Sequence, residues 1–307
     1  MKHWLEYALV RFLMAIVKVS PEGLVRALGT TLGLAFYTVD RSHRRIAERN
    51  LATAFPARPA AERKTIARNM FKHFGRMLFA LLKFSTLTHE EMMARVDVDG
   101  EDRVRLAYAQ GKGVLFVTGH FGYWEVNGLL HGLVFEPIAV MARALDNPRL
   151  NQLLEDIRRR TGNSVIYRRG AIRRVMRTLE AGKGVAVLID QHIMGRDAIY
   201  VDFFSRPAAT TAAVAALALR TGAAVVPSFA FPLPGGRIRL VYDHPVAPPR
   251  PDAPDAARDF TQRCTDVLEM YVRRDPEMWL WMHRRWRDNQ VASEATPGMF
   301  PPADSDD

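Results

Sequence analysis

A histidine that leaves an apolar strand between glycines, with a carboxylate a few residues on, is an arrangement that can move a proton. The segment Gly113-Val-Leu-Phe-Val-Thr-Gly119-His120-Phe121-Gly122-Tyr123-Trp124-Glu125 reads that way. Its first six residues are β-rich, and Gly119 and Gly122 let the backbone turn and leave the imidazole accessible. Open α/β sheets bind ligands outside the carboxyl ends of their strands, which is where His120 falls. Glu125 is expected in the first turn of the next helix, holding one imidazole nitrogen so that the other can take a proton from a hydroxyl. The same spacing also arises from a strand-end histidine beside a first-turn acid favoured by the helix dipole, so the pair alone names no reaction.

The elements that must position this pair can be read from periodicity. β-rich runs separated by Gly or Pro occur at Gly113 to Thr118, Pro137 to Met141, Ser164 to Tyr167, Gly184 to Ile189, Ala223 to Ala230 and Ile238 to Tyr242. Helical patterns alternate with them at Leu150 to Arg160, Ala171 to Ala181, Thr211 to Arg220 and Asp255 to Arg274. This predicts an α/β fold, a single catalytic domain with a mostly parallel or mixed central sheet flanked by helices. Ahead of it, Arg41 to Thr86 is helical, with Ile66, Met70, Phe74, Met77, Leu78, Leu81 and Leu82 spaced as one buried face. Arg143 follows a predicted strand end, a position from which a guanidinium could stabilise an oxyanion or bind a phosphate.

Residues 1–40 alternate apolar blocks with isolated charges, and the longest block, between Arg26 and Asp40, is well short of the roughly 20 residues a membrane span needs. Leu5, Leu9, Phe12, Leu13 and Ile16 recur at helical spacing beside Lys2, Arg11 and Lys18, a pattern suited to an interfacial membrane helix or to a core-packing helix pair. The domain plan is therefore 1–40 for helical membrane association, 41–291 for the catalytic domain and 292–307 for a disordered tail.

The net charge of +10 calls for a polyanionic partner: nucleic acid, anionic lipid, a phosphorylated substrate or an acidic carrier protein. No helix-turn-helix spacing, zinc finger or aromatic-studded sheet supports nucleic acid. Cys264 is the only cysteine, so an intrachain disulfide is impossible and a cysteine-rich zinc site does not fit; no metal is expected. Trp279 to Arg287 mixes aromatics and cations, which suits a lipid headgroup surface, a nucleic-acid contact, or a core with arginines reaching out of it.

The segment Gly119 to Glu125 resembles the His-x4-Glu/Asp signature of glycerolipid-type acyltransferases, and in its Gly-His-x-Gly-x-Trp-Glu form it is similar to the lipid A biosynthesis branch, which adds lauroyl or myristoyl chains. Further blocks match that branch in order: Met141-Ala-Arg143-Ala-Leu-Asp146-Asn147-Pro148, Val187-Leu-Ile-Asp190-Gln191, Phe203-Phe204-Ser205-Arg206-Pro207-Ala208, Leu217 to Ala223, and Pro276 to Trp286. Ser205 stands where the branch has glycine, and His192 where an acidic residue is common. The resemblance implies an acyltransferase with His120 as base and Glu125 as its partner, and a substrate site drawing on Gly122, Trp124, Arg143, Asn147, Asp190, Gln191, Phe204 and Pro207. It implies no cofactor beyond the donor itself, an acyl carrier protein thioester or acyl-CoA, and no covalent enzyme intermediate. It further implies a phosphorylated glycolipid acceptor, a lipid A precursor, at the cytoplasmic face of a bacterial inner membrane. Alternatives are an acyltransferase on a phosphatidylinositol mannoside or lysophospholipid, thioester hydrolysis, and a nonenzymatic lipid- or RNA-binding protein.

Overall fold

The computed structural model describes residues 1–167, 170–194, 198–250 and 253–287. The predicted tail, 292–307, and the last residues of the predicted catalytic domain lie outside them. Five helices open the chain: α1 (Lys2–Val19), α2 (Glu22–Val39), α3 (Arg41–Ala54), α4 (Ala60–Phe84) and α5 (His89–Met93). The remainder alternates: β1 (Val96–Asp99), α6 (Glu101–Ala109), β2 (Val114–Thr118), α7 (Trp124–Val134), β3 (Ala139–Ala142), α8 (Pro148–Arg159), β4 (Ser164–Tyr167) and α9 (Ala171–Glu180). It continues with β5 (Gly184–Leu188), β6 (Ala198–Asp202), β7 (Pro207–Thr211), α10 (Ala213–Thr221), β8 (Ala224–Pro232), β9 (Ile238–Tyr242) and α11 (Ala256–Arg274).

Seven strands form one sheet in the order β1-β9-β8-β2-β5-β3-β4, parallel except for the β8–β9 pair. The expected α/β architecture is what folds. Every residue of β2 is buried, as a parallel strand covered on both faces requires. Two elements add to the predicted strands: the four-residue edge strand β1 of this sheet, and the separate antiparallel ribbon β6–β7, whose turn the sequence presents as a Phe-Phe loop.

Helix α4 packs its apolar side inward, with Ile66, Met70, Met77, Leu81 and Leu82 buried, but Leu78 is exposed and does not belong to the expected face. Helix α2 lies against α4 with almost nothing between the backbones. A Cβ on Gly33 would come within 2.2 Å of the Phe71 carbonyl oxygen, and one on Gly75 within 2.1 Å of the Gly29 carbonyl oxygen. Only glycine permits that approach. Helix α1 packs on the same region through Val17, beside Val25, Phe79 and Leu82, while Trp4, Leu5, Leu9 and Phe12 stay exposed. No helix among the described residues is long and apolar enough to cross a membrane.

The mixed block near the carboxyl end is core. Trp279, Trp281, Trp286 and Arg285 are all buried, which overturns the headgroup-surface and nucleic-acid readings of their pattern. Arg285 donates to the Ala209 carbonyl at 2.5 Å and to the Thr210 hydroxyl, its guanidinium lying over the Phe203 ring. Asn50 of α3 clamps the block by donating to the Trp281 and His283 carbonyls at 2.7 and 2.5 Å.

Candidate active site

Strands β2 and β5 are parallel neighbours, with Thr118 opposite Leu188. Their chains continue in step, so His120 and Asp190 emerge side by side at the carboxyl edge of the sheet. His120 Nδ1 lies 2.8 Å from Asp190 Oδ1, and the His120 backbone N–H donates to Oδ2 of the same carboxylate at 2.6 Å. A carboxylate only accepts, so Nδ1 carries the proton and Nε2 is left with its lone pair. Trp279 Nε1–H donates to Asp190 Oδ2 at 2.8 Å, which completes the carboxylate's donors. Burial alone would push the Asp190 carboxyl up; the His120 imidazole and N–H beside it, with help from His283, hold it well below the usual carboxylate range.

The expected His120–Glu125 contact does not form. Glu125 sits in the first turn of α7 as predicted, but its carboxylate takes a two-pronged bond from Arg158 of α8, Nε to Oε2 at 3.1 Å and Nη2 to Oε1 at 2.7 Å. Both side chains are largely buried, at 11% and 20% exposure, so the ion pair satisfies each member where water could not. The imidazole's partner is Asp190, a residue that the sequence reading placed among substrate contacts.

Two rings grip the His120 imidazole. Trp124 meets it edge to face at 5.1 Å and His283 at 4.7 Å. Burial, and next the neighbouring His120, push the His283 pKa down to about 4, so it is a neutral ring at ordinary pH. The loop that carries His120 is tied from several sides. Its carbonyl accepts from Leu280 N–H at 3.0 Å, the Gly122 N–H donates to the Met278 carbonyl at 2.9 Å, and the Gly122 carbonyl accepts from His73 Nε2 at 3.1 Å. Gly122 has φ +59, and a Cβ there would lie 2.2 Å from the Ala230 carbonyl oxygen, so its glycine is a backbone requirement.

His120 opens onto a cavity of about 700 Å³ between the sheet and helices α7 and α8. Trp124, Glu125, Arg143, Arg158, Gln191 and His192 line it with His120, and its buried lining mixes apolar Phe116, Leu129 and Ile138 with polar Thr118, Asn127, His131 and Ser228. Gln191 Nε2 lies 3.4 Å from His120 Nε2, on the side of the free lone pair. Arg143 pairs with the exposed Asp146 at 2.9 Å at the cavity rim.

Three predicted contacts are placed elsewhere. Asn147 caps α8 through the Arg149 and Leu150 N–H groups and donates to the His3 carbonyl and to Glu6 of α1, so its side chain is spent on structure. Phe204 packs among Phe55, Phe203, Trp281 and Trp286 in the core, and Pro207 opens β7; neither lines the cavity. Phe204 and Ser205 both take φ +55, so the serine that replaces the branch's glycine holds a left-handed conformation.

The family model of bacterial lipid A biosynthesis acyltransferases matches residues 1–288. A lipid A biosynthesis lauroyltransferase of Escherichia coli strain K12 is 27% identical over 290 residues, covering 93% of this chain and 92% of its own. A lipid A biosynthesis myristoyltransferase of the same strain is 26% identical over 271 residues, covering 88% and 83%. A phosphatidylinositol mannoside acyltransferase of Mycobacterium tuberculosis strain H37Rv is 26% identical over 185 residues, 59% of this chain and 58% of its own. An imidazole fixed by a buried carboxylate at a cavity of mixed lining is compatible with acyl transfer, and the chain is an acyltransferase belonging to the bacterial lipid A biosynthesis acyltransferase family.

Proposed function

We propose that the protein transfers a fatty acyl chain from an acyl carrier protein thioester to a hydroxyl of a lipid A precursor, with His120 as general base and Asp190 as the group that fixes its tautomer. The observation that carries this reading is the Asp190–His120 pair at 2.8 Å, with Nε2 of His120 3.4 Å from Gln191, another residue of the cavity lining. Nε2 takes the proton of the acceptor hydroxyl as its oxygen attacks the thioester carbonyl. The C–S bond then breaks, and the departing thiolate takes the proton back from the imidazolium. Ester and free thiol are the products, with no redox change and no acyl-enzyme.

Arg158 and Arg143 place positive charge in the cavity wall and at its rim, and serve the developing oxyanion or the acceptor's phosphates. Glu125 acts by holding the Arg158 guanidinium in place. Gln191 marks where the acceptor hydroxyl docks against Nε2. The basic surface, net +10, suits an acidic carrier and anionic lipid. Exposed Trp4, Leu5, Leu9 and Phe12 on α1 form the seat on a lipid surface, and the protein works at the cytoplasmic face of the inner membrane.

The test is incubation of purified protein with acyl carrier protein thioesters or acyl-CoA and candidate glycolipid acceptors, with products read by mass. Acyl-lipid formed from the carrier thioester is expected. Release of free fatty acid alone would replace this reading with thioester hydrolysis, and acyl-lipid from CoA only would replace the donor.

A further inference from the structure

A second cavity, of about 380 Å³, is lined by Tyr123, whereas His120 and Trp124, on either side of that tyrosine in the chain, line the first. The two cavities share no residue. The walls of the second come from the first turns of α2, from α4 between His73 and Phe84, and from the turn Pro234–Gly236 between β8 and β9.

Tyr123 is 6% exposed, and its hydroxyl has no hydrogen-bond partner among the described residues. A buried phenol ordinarily finds one. The hydroxyl lies within electrostatic reach of Arg76, Glu22 and Arg26, all three of them residues of the cavity wall, so it points into the cavity.

The charges around it are of both signs and do not pair with one another. Arg76 donates from Nε to the Lys72 carbonyl at 3.2 Å, which leaves its terminal nitrogens. Arg26, Glu22 and Glu277 make no side-chain hydrogen bond or ion pair among the described residues. The other two cations of the wall are occupied: Lys83 Nζ donates to the carbonyls of Val17, Lys18 and Ser20 at 2.8, 3.0 and 3.0 Å, and Arg237 pairs with Asp97.

A wall of arginines alone would suit any anion. Two guanidiniums and a phenol beside two carboxylates suit a molecule that carries a phosphate and a primary ammonium together, the first accepting hydrogen bonds and the second donating them. We propose that this cavity is a second ligand site, for an ethanolamine phosphate headgroup, with Arg26, Arg76 and the Tyr123 hydroxyl on the phosphate and Glu22 and Glu277 on the ammonium. The site does not depend on the acyl-transfer reading. Its ligand is either a bilayer lipid or the same headgroup free in solution; Val19 and Leu24, on either side of Glu22 in the chain, are exposed and let the mouth face lipid. His73 and Met278, which bond to the Gly122 carbonyl and N–H, line this cavity too, so a bound headgroup rests on the supports of the reactive loop.

The experiment titrates the full chain with glycerophosphoethanolamine by calorimetry, and separately mixes it with phosphatidylcholine vesicles that contain or lack phosphatidylethanolamine. Choline has no N–H to give Glu22 and Glu277. The soluble headgroup is expected to bind about tenfold or more tightly than glycerophosphate, because two charged contacts are added. Arg26→Gln with Arg76→Gln, and Tyr123→Phe, should weaken it about tenfold. Glu22→Gln with Glu277→Gln should weaken it as much without weakening glycerophosphate. Binding of the soluble headgroup assigns a free ligand, and a preference for phosphatidylethanolamine vesicles alone, lost in the same variants, assigns a bilayer lipid. Binding in neither arm, equal binding of glycerophosphate, or binding that both double variants leave unchanged overturns the proposal. Unfolding midpoints check that the variants fold, and the two double variants carry the test if Tyr123→Phe does not.

Discussion

Asp190 holds His120 at two points, one oxygen on the ring at 2.8 Å and the other on the backbone N–H at 2.6 Å, so the carboxylate fixes both the tautomer and the position of the imidazole. Asp190→Asn is expected to lower kcat by about a hundredfold to ten-thousandfold, because an amide can donate to Nδ1 and favour the wrong tautomer. His120→Ala should lose at least a hundredfold. Initial rates of acyl transfer check both; near-native turnover in Asp190→Asn would remove its assigned role.

Glu125 belongs to Arg158, and its variants should report that. Glu125→Gln is expected to keep the pH dependence of the reaction set by His120, whereas Asp190→Asn changes it. Removing either member leaves a largely buried charge alone and should cost about 3 kcal/mol, while the Glu125→Ala/Arg158→Ala double variant costs less than the sum of its parts. Urea unfolding of the four proteins measures the coupling. A Glu125→Gln profile that shifts as Asp190→Asn does would return Glu125 to the base.

Acid should destabilise the fold through three buried histidines. Burial pushes His131 down to about 3, and His73 and His283 down to about 4. These values lie below the ordinary value near 6.5 that the unfolded chain retains. Between those limits the unfolded state binds protons that the folded state refuses, so stability rises with pH there and is complete above about 6.5. A loss on the order of several kcal/mol is expected as pH falls from 6.5 to 4. Denaturation midpoints across that range test it, and a His131→Gln variant should show a flatter dependence.

Ser205 offers a gain. Its φ of +55 costs an L-residue about 1 kcal/mol or more that glycine does not bear, against about 0.5 kcal/mol of extra chain entropy for the glycine. Ser205→Gly should therefore raise stability by about 0.5–1 kcal/mol. Thermal unfolding reads the sign, and a lower midpoint would show that the serine side chain contributes more than its strain.

The exposed residues of α1 can be changed without touching the core. Leu9→Asp with Phe12→Asp is expected to reduce flotation with anionic vesicles at low salt and to leave the unfolding midpoint unchanged, since both side chains already face outward. Undiminished flotation would move the docking surface elsewhere.

The alternation of apolar runs and helical patterns was enough to place the sheet, because the strands near the site are buried on both faces and stand out as runs. It also placed His120 and Asp190 at strand ends. What it could not supply was the adjacency of β2 and β5, which depends on a pairing between segments some 70 residues apart and not on any local rhythm. Local spacing instead favoured Glu125, whose true partner carried a readable sign. Leu150, Leu154 and Arg158 share one face of α8, so Arg158 is a cation continuing an apolar stripe. The tryptophans of the closing block misled for a different reason. Aromatics interleaved with arginines suit an interface and a core equally, and only their burial against Asn50, Phe55 and Phe203, which are distant in sequence, decides for the core.

The glycine seam between α2 and α4 has a mechanical outcome. With backbone laid against backbone, α2 has no layer of side chains on which to slide, and α4 in turn holds the loop of the reactive ring through the His73–Gly122 bond. A protein resting on lipid by its first helices would therefore carry His120 at one fixed height above the bilayer plane, so that the depth of seating decides which hydroxyl of an embedded acceptor comes within reach.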